Sequence, residues 1–190
     1  IYFDFAAYSH IAIGTAMLMG IKFPENFNFP YIAVSPQDFW KRWHISLSSW
    51  IRDYLYLPFT GANVLDRSTG GLGSEVKQKK NTTLALFATW MIMGLWHGAA
   101  WMFVMWGLWH ALLIFLYRIT SGWKLLPENM TGRLVAWSLT INFIMLGWIP
   151  FRSENLEQAF GLMYNLSNPY TWGIMGLREN TYLITALVMG

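Results

Sequence analysis

The chain has 190 residues, of which 55% are hydrophobic and only 12% charged, with 12 Trp, 11 Met and a net charge of +3. Its charges cluster between apolar runs, which is the pattern of membrane chains and makes nucleic acid a poor partner for the basic residues. It has no cysteine, which excludes disulfides, thiol nucleophiles and Cys-ligated metals and leaves the redox compartment unread.

In chain order, residues Ile1 to Ile21 are apolar with Asp4, Ser9 and His10 embedded. They read as one span whose polar face turns towards protein, because intramembrane charge seldom faces lipid. Breaks at Pro24, Asn26 and Pro30 make Lys22 to Ser35 an irregular connector. Ser35-Pro-Gln-Asp38 then opens a helix with a capping hydroxyl, proline at the first position and an acid at the third. Asp38 and Arg42 are four apart in the favourable order and predict a helical ion pair. The stretch DFWKRWHISLSSWIRDYLYLPF is too charged for a free span and too apolar for a solvated helix. An interfacial or re-entrant helix fits it, ending at Pro58. Thr60 to Lys80 is a Gly/Ser/Lys loop, placed in the cytoplasm by its excess of basic residues.

From Asn81 to Tyr117 there is no Asp, Glu, Lys or Arg. Its core, Leu84 to Tyr117, has 34 residues, about 51 Å as one straight helix, against a bilayer core of about 30 Å. Two helices or one broken helix are expected, with Gly94, Gly98 and Gly107 as candidate breaks. Leu134 to Phe151 is a further uncharged span. After Arg152, a helix capped by Ser153 has apolar residues at 156, 159, 160, 163 and 166, the spacing of a helix lying along the membrane surface. Another span begins at Thr181. These elements predict an all-α, polytopic transmembrane protein with interfacial or re-entrant helices. The sequence opens and closes inside apolar patterns and shows no signal peptide, so residues 1–190 read as part of one membrane-embedded domain, an internal piece of a longer chain.

A histidine in an uncharged run needs a reason. His97 sits in Gly94-Leu-Trp-His-Gly98, with no charged residue within fifteen positions on either side. Its bland alternative is a bundle histidine bonded to a carbonyl. Against that, the flanking glycines allow backbone or ligand to come close, and Trp90 and Trp101 fall on its face if the helix is continuous. Desolvated and without a local counter-ion, the imidazole stays neutral and can accept a proton as a general base. His44 follows Trp40 by four, so the two share a helical face; alone it reads as interfacial. Arg42 and Arg52 have the guanidinium geometry to hold donor phosphates. His110 lies about 220° around a continuous helix from His97 and reads as structural unless the helix bends; His10 also reads as structural. No Gly-x-Ser-x-Gly elbow, His-Glu-x-x-His or P-loop is present, no spacing supports a metal site, and Gly70-Gly-Leu-Gly73 reads as a flexible loop.

Pro24-Glu-Asn-Phe27, Asp38-Phe-Trp-Lys-Arg-Trp-His-Ile-Ser-Leu-Ser48, Trp50-Ile-Arg-Asp-Tyr-Leu-Tyr56 and Gly94-Leu-Trp-His-Gly98 together resemble the membrane-bound O-acyltransferase family. The resemblance covers nearly the whole chain and is strongest to the bacterial branch that acts on alginate and teichoic acid. It implies the catalytic half of a multi-pass enzyme of the bacterial inner membrane. His97 would be the catalytic residue and His44 the second polar signature position. The donor would be a thioester, acetyl-CoA or an acylated carrier protein, with no bound cofactor. The acceptor would be an exported polysaccharide or a periplasmic transfer protein, reached through a channel among membrane lipids. Trp40, Trp43 and Trp96 would wall that channel, and Gly98 would give the acyl group room. The oxyanion stabiliser stays open between His44, a Trp indole N–H and a backbone N–H. His10 stands where members usually carry Asp, which puts any role for that position in doubt. Acetyl transfer is the leading expectation and D-alanyl transfer its variant. A histidine-ligated haem electron carrier is the alternative of another class; a transport subunit lacks the expected intramembrane carboxylates or broken repeats.

Overall fold

The computed structural model describes residues 2–61, 81–121, 126–168 and 170. Among them there are only helices and turns, as the all-α expectation requires. They run α1 (Tyr2–Leu18), a 3-10 turn (Pro30–Ile32), α2 (Pro36–Arg42), α3 (Ile45–Ile51), a π-helical turn (Arg52–Tyr56), the short α4 (Leu57–Phe59), α5 (Thr82–His97), α6 (Trp101–Thr120), α7 (Met130–Arg152) and α8 (Leu156–Ser167). The basic loop from residue 62 onward and the span expected from Thr181 lie outside the described residues.

The long uncharged run breaks once. Asn81 caps α5, its side-chain oxygen accepting from the backbone N–H groups of Thr83 and Leu84. The helix stops at His97, Gly98 to Ala100 reverse the chain, and α6 returns antiparallel along α5. Gly94 and Gly107 are not breaks. They lie inside the two helices where the backbones touch: a methyl on Gly94 would meet the Phe103 carbonyl, and one on Gly107 the Trp90 carbonyl. Small residues at a helix contact allow this approach. Because the helix ends at His97, Trp101 does not share its face and is 82% exposed.

α6 and α7, with 20 and 23 residues, are long and apolar enough to cross a membrane. At 1.5 Å per residue they reach roughly 30 and 35 Å. Packing is antiparallel, with the Trp109 indole N–H donating to the Phe143 carbonyl at 2.8 Å. Leu134, Trp137, Leu139, Phe143 and Met145 of α7 are exposed, a run of apolar side chains suited to lipid. α8 is capped by Asn155, which accepts from the Gln158 N–H, and not by Ser153 as the sequence suggested. The Ser153 hydroxyl instead donates back to the Ile149 carbonyl at the end of α7. A hydroxyl can serve either helix end, and the α7 carbonyls reach it first.

The aromatic-basic segment is where the structure departs most from expectation. Its start is as predicted: the Ser35 hydroxyl accepts from the Asp38 N–H at 3.1 Å, Pro36 opens α2, and Arg42 pairs with Asp38 at 2.8 Å. It is not one helix to Pro58. The chain breaks after Arg42, with Trp43 extended and His44 left-handed at φ 45°. Pro58 lies within the last short helix. The connector causes the break. The Asn28 N–H donates to the Arg42 carbonyl, and the Asn26 carbonyl accepts from the Ile45 N–H. These bonds satisfy backbone groups that helix termini leave open. Trp40 and His44 therefore do not share a helical face through their spacing.

Candidate active site

Despite the break, Trp40 and His44 meet at one cavity. A space of about 100 Å³ is lined by Phe5 of α1, Trp40, Trp43 and His44, Met93 and His97 of α5, Trp106 of α6, and Trp148 and Phe151 of α7. The left-handed turn at His44 swings its ring inward against Phe5, at 4.7 Å between centroids. His97, the last residue of α5, is held edge-on by Trp106 (4.8 Å) and Phe151 (5.1 Å). Phe103 and Trp96 also touch its ring, and a methyl on Gly98 would strike Phe103. No described residue hydrogen-bonds the His97 ring. Burial first, and the neighbouring His97 second, push His44 down to about 4, so it is neutral near pH 7.

A second cavity, about 360 Å³, adjoins the first across Trp40 and Met93, which line both. Its rim carries Lys41, Arg52 and Arg118, with Gln37, Ser48, Ser49, Tyr56 and Thr89 as further polar lining. The Arg118 guanidinium donates to the Tyr56 hydroxyl at 3.3 Å. The two cavities follow each other along the α5–α6 hairpin. The basic one sits beside Leu86, Thr89 and Ile114, towards the end that leads into the Lys/Arg-rich loop. The histidine cavity lies at the opposite end, by the turn at Gly98.

Of the residues singled out from sequence, Trp40, Trp43, His44 and His97 come together in the histidine cavity, and Arg52, its guanidinium paired with the Asp53 carboxylate at 2.8 and 3.3 Å, lines the basic one. Arg42 lines neither; its guanidinium is committed to Asp38 and to the Asn28 carbonyl at 3.3 Å. Trp96 touches His97 from outside and is 62% exposed. His110 reaches the neighbourhood because the hairpin brings its face back. It is fully buried among Trp40, Trp90 and Trp106 at 5.0, 5.6 and 5.0 Å, and neither ring nitrogen has a hydrogen-bond partner among the described residues. Phe5, Met93, Trp106, Trp148 and Phe151 were not singled out. Nothing distinguishes one apolar residue among so many until the helices are placed. Asn26 was missed as well, although it lies in the quoted Pro24-to-Phe27 motif.

An all-helical bundle with two helices long and apolar enough to cross a membrane, and a half-buried pair of histidines beside a basic-rimmed cavity, fits the class of membrane-embedded transferases of activated groups. The family model described as "MBOAT, membrane-bound O-acyltransferase family" matches residues 1–156. The chain belongs to the membrane-bound O-acyltransferase family. It is 36% identical, over its whole length, to a Pseudomonas aeruginosa protein named Probable alginate O-acetylase AlgI, of which 35% is covered. It is 39% identical to the Helicobacter pylori Peptidoglycan O-acetyltransferase, over 86% of this chain and 28% of the relative. It is 37% identical to the Bacillus subtilis Teichoic acid D-alanyltransferase, over 81% of this chain and 38% of the relative. The chain thus spans about a third of the length of these curated relatives.

Proposed function

We propose that the chain carries the transfer site of a polytopic O-acyltransferase of the bacterial inner membrane, moving an acetyl group from a thioester to a hydroxyl of an exported polysaccharide or periplasmic acceptor. The observation that carries this is the adjacency of the two cavities: a basic-rimmed one and a histidine-lined one, which share Trp40 and Met93 as lining. The donor, acetyl-CoA or an acylated carrier protein, presents phosphates to Lys41, Arg52 and Arg118 and its thioester to the wall beyond. Guanidinium and ammonium groups suit phosphate as charge-assisted donors. The relatives named for alginate, peptidoglycan and teichoic acid point to a polymer hydroxyl as acceptor.

In this reading His97 is the general base. The hydroxyl oxygen bonds to the thioester carbonyl carbon as its proton passes to His97. The tetrahedral intermediate then collapses, the carbon–sulfur bond breaks, and the thiolate leaves with the proton returned by the imidazolium. Aromatic walls keep bulk water from the thioester. The test is reconstitution of the full-length protein in liposomes, with labelled acetyl thioester supplied on one side only. Label should appear as an ester on an acceptor held on the other side. Thioester consumption with no ester formed would contradict the reading.

A further inference from the structure

Asn26 lies outside both cavities, yet its side chain decides what one of the histidines can do. Its Oδ1 accepts from the Ser46 backbone N–H at 3.2 Å and from the Ser46 hydroxyl at 3.0 Å. A backbone N–H can only donate, so the atom facing it is the amide oxygen and the orientation of the amide is settled. The same oxygen lies 3.1 Å from Nδ1 of His44. An amide oxygen only accepts, so Nδ1 of a neutral His44 must carry the proton. Nε2 then holds a lone pair. His44 in this form cannot donate to an oxyanion through Nε2, one of the roles open to it from sequence. It can only accept there.

We infer that Asn26 is a positioning residue of the transfer site: it locks His44 in the tautomer protonated at Nδ1, so that Nε2 accepts the ring N–H of His97 and leaves the other His97 nitrogen free to take the hydroxyl proton. This role rests on the acyl-transfer reading of the same cavity. A neutral histidine acting as base must keep its other nitrogen protonated, and that N–H needs an acceptor. No described residue supplies one in the structure. Of the side chains lining the cavity, the others are aromatic hydrocarbon, thioether or indole, and indoles only donate. His44 Nε2 is the acceptor the cavity offers, directly or through one water, for which about 100 Å³ is ample. The chain Asn26–His44–His97 orders each ring through the next. It closes when substrate seats, as hydrogen bonds of catalytic groups often tighten only in the complex. The Asn26 carbonyl, by accepting from Ile45, and the Asn26–Ser46 bonds hold the left-handed turn that aims His44.

The direct test is the ¹⁵N spectrum of histidine-labelled full-length protein, with the His44 signals identified by their loss in His44→Gln. The inference predicts a protonated Nδ1 and an unprotonated Nε2 at neutral pH. An Nε2-protonated His44 would overturn it. Activity supplies a second arm. Asn26→Leu, which removes the acceptor at similar volume, should lower kcat by about 10- to 100-fold with the donor KM within about twofold. Asn26→Asp, which still accepts from both His44 and Ser46, should retain most of the rate. Equal rates in wild type and Asn26→Leu would overturn the role of Asn26 alone. A wild-type protein that transfers acetyl from no thioester would overturn the acyl-transfer reading and this role with it. Should Asn26→Leu fail to fold, the wild-type spectrum and the Asn26→Asp rate decide the matter.

Discussion

Replacing Gly107 by alanine puts a methyl group hard against the Trp90 carbonyl oxygen, with the carbonyl carbon at 3.0 Å, inside van der Waals contact. That neighbour is backbone and cannot rotate aside. To restore carbon–oxygen contact near 3.5 Å, α5 and α6 must separate by about 1 Å. Overpacking of this kind costs about 1–3 kcal/mol. Alanine returns up to about 1 kcal/mol of helix propensity, so the net loss is about 1–2 kcal/mol. Gly161 in α8 is the matched control, because a methyl there has nothing within 4 Å. Gly161→Ala should therefore gain up to about 1 kcal/mol. Thermal unfolding of the detergent-solubilised protein reads both, at roughly 2–4 °C per kcal/mol for a domain of this size. Gly107→Ala should melt lower than wild type and Gly161→Ala slightly higher. Acetyl transfer should also fall in Gly107→Ala, since opening the hairpin shifts Met93 and Trp106, both walls of the histidine cavity. A Gly107→Ala protein that melts at or above wild type would refute the claim that the two backbones need this contact.

Three other outcomes follow from the same geometry. Arg52→Gln should raise the donor KM by about tenfold, the size of one lost charge-assisted bond, because Arg52 lines the basic cavity while paired with Asp53; Arg42→Gln, at a position that lines neither cavity, should leave it within about twofold, as steady-state kinetics with acetyl-CoA would report. His110→Leu should fold and transfer acetyl at close to the wild-type rate, because exchanging an unpartnered buried imidazole for an apolar group of similar size is nearly neutral or stabilising; loss of transfer with unchanged melting would place His110 in the reaction. Ser35→Ala should lower the melting temperature by the equivalent of about 1 kcal/mol, the worth of a helix cap.

Much of this architecture is legible in the residues, and the exceptions share a cause. Ser35, Pro36 and the Asp38–Arg42 pair act over three or four positions, and each forms as the spacing indicates. The division of the uncharged run is legible from its length against the bilayer, but not its position among three glycines. Gly98 turns the chain, whereas Gly94 and Gly107 admit a neighbouring backbone, a distinction visible only once the helices are paired. The break at Trp43–His44 depends on Asn26 and Asn28, some fifteen to twenty residues away, and helical spacing carries no trace of it. His97 and His44 could be chosen from their surroundings and from the family resemblance. So could Trp40 and Trp43 among the walls of their cavity; the other aromatic walls could not, because Phe5, Trp106, Trp148 and Phe151 come from three different helices.

The central claim is that the His97 imidazole takes the proton of the attacking hydroxyl. The most direct measurement compares full-length wild type and His97→Ala, both shown to be membrane-inserted and to melt alike, for labelled acetyl passing from acetyl-CoA to an acceptor. Removal of a general base should lower the transfer rate by about 10²- to 10⁴-fold with the donor KM little changed. Transfer by His97→Ala at the wild-type rate would contradict the account.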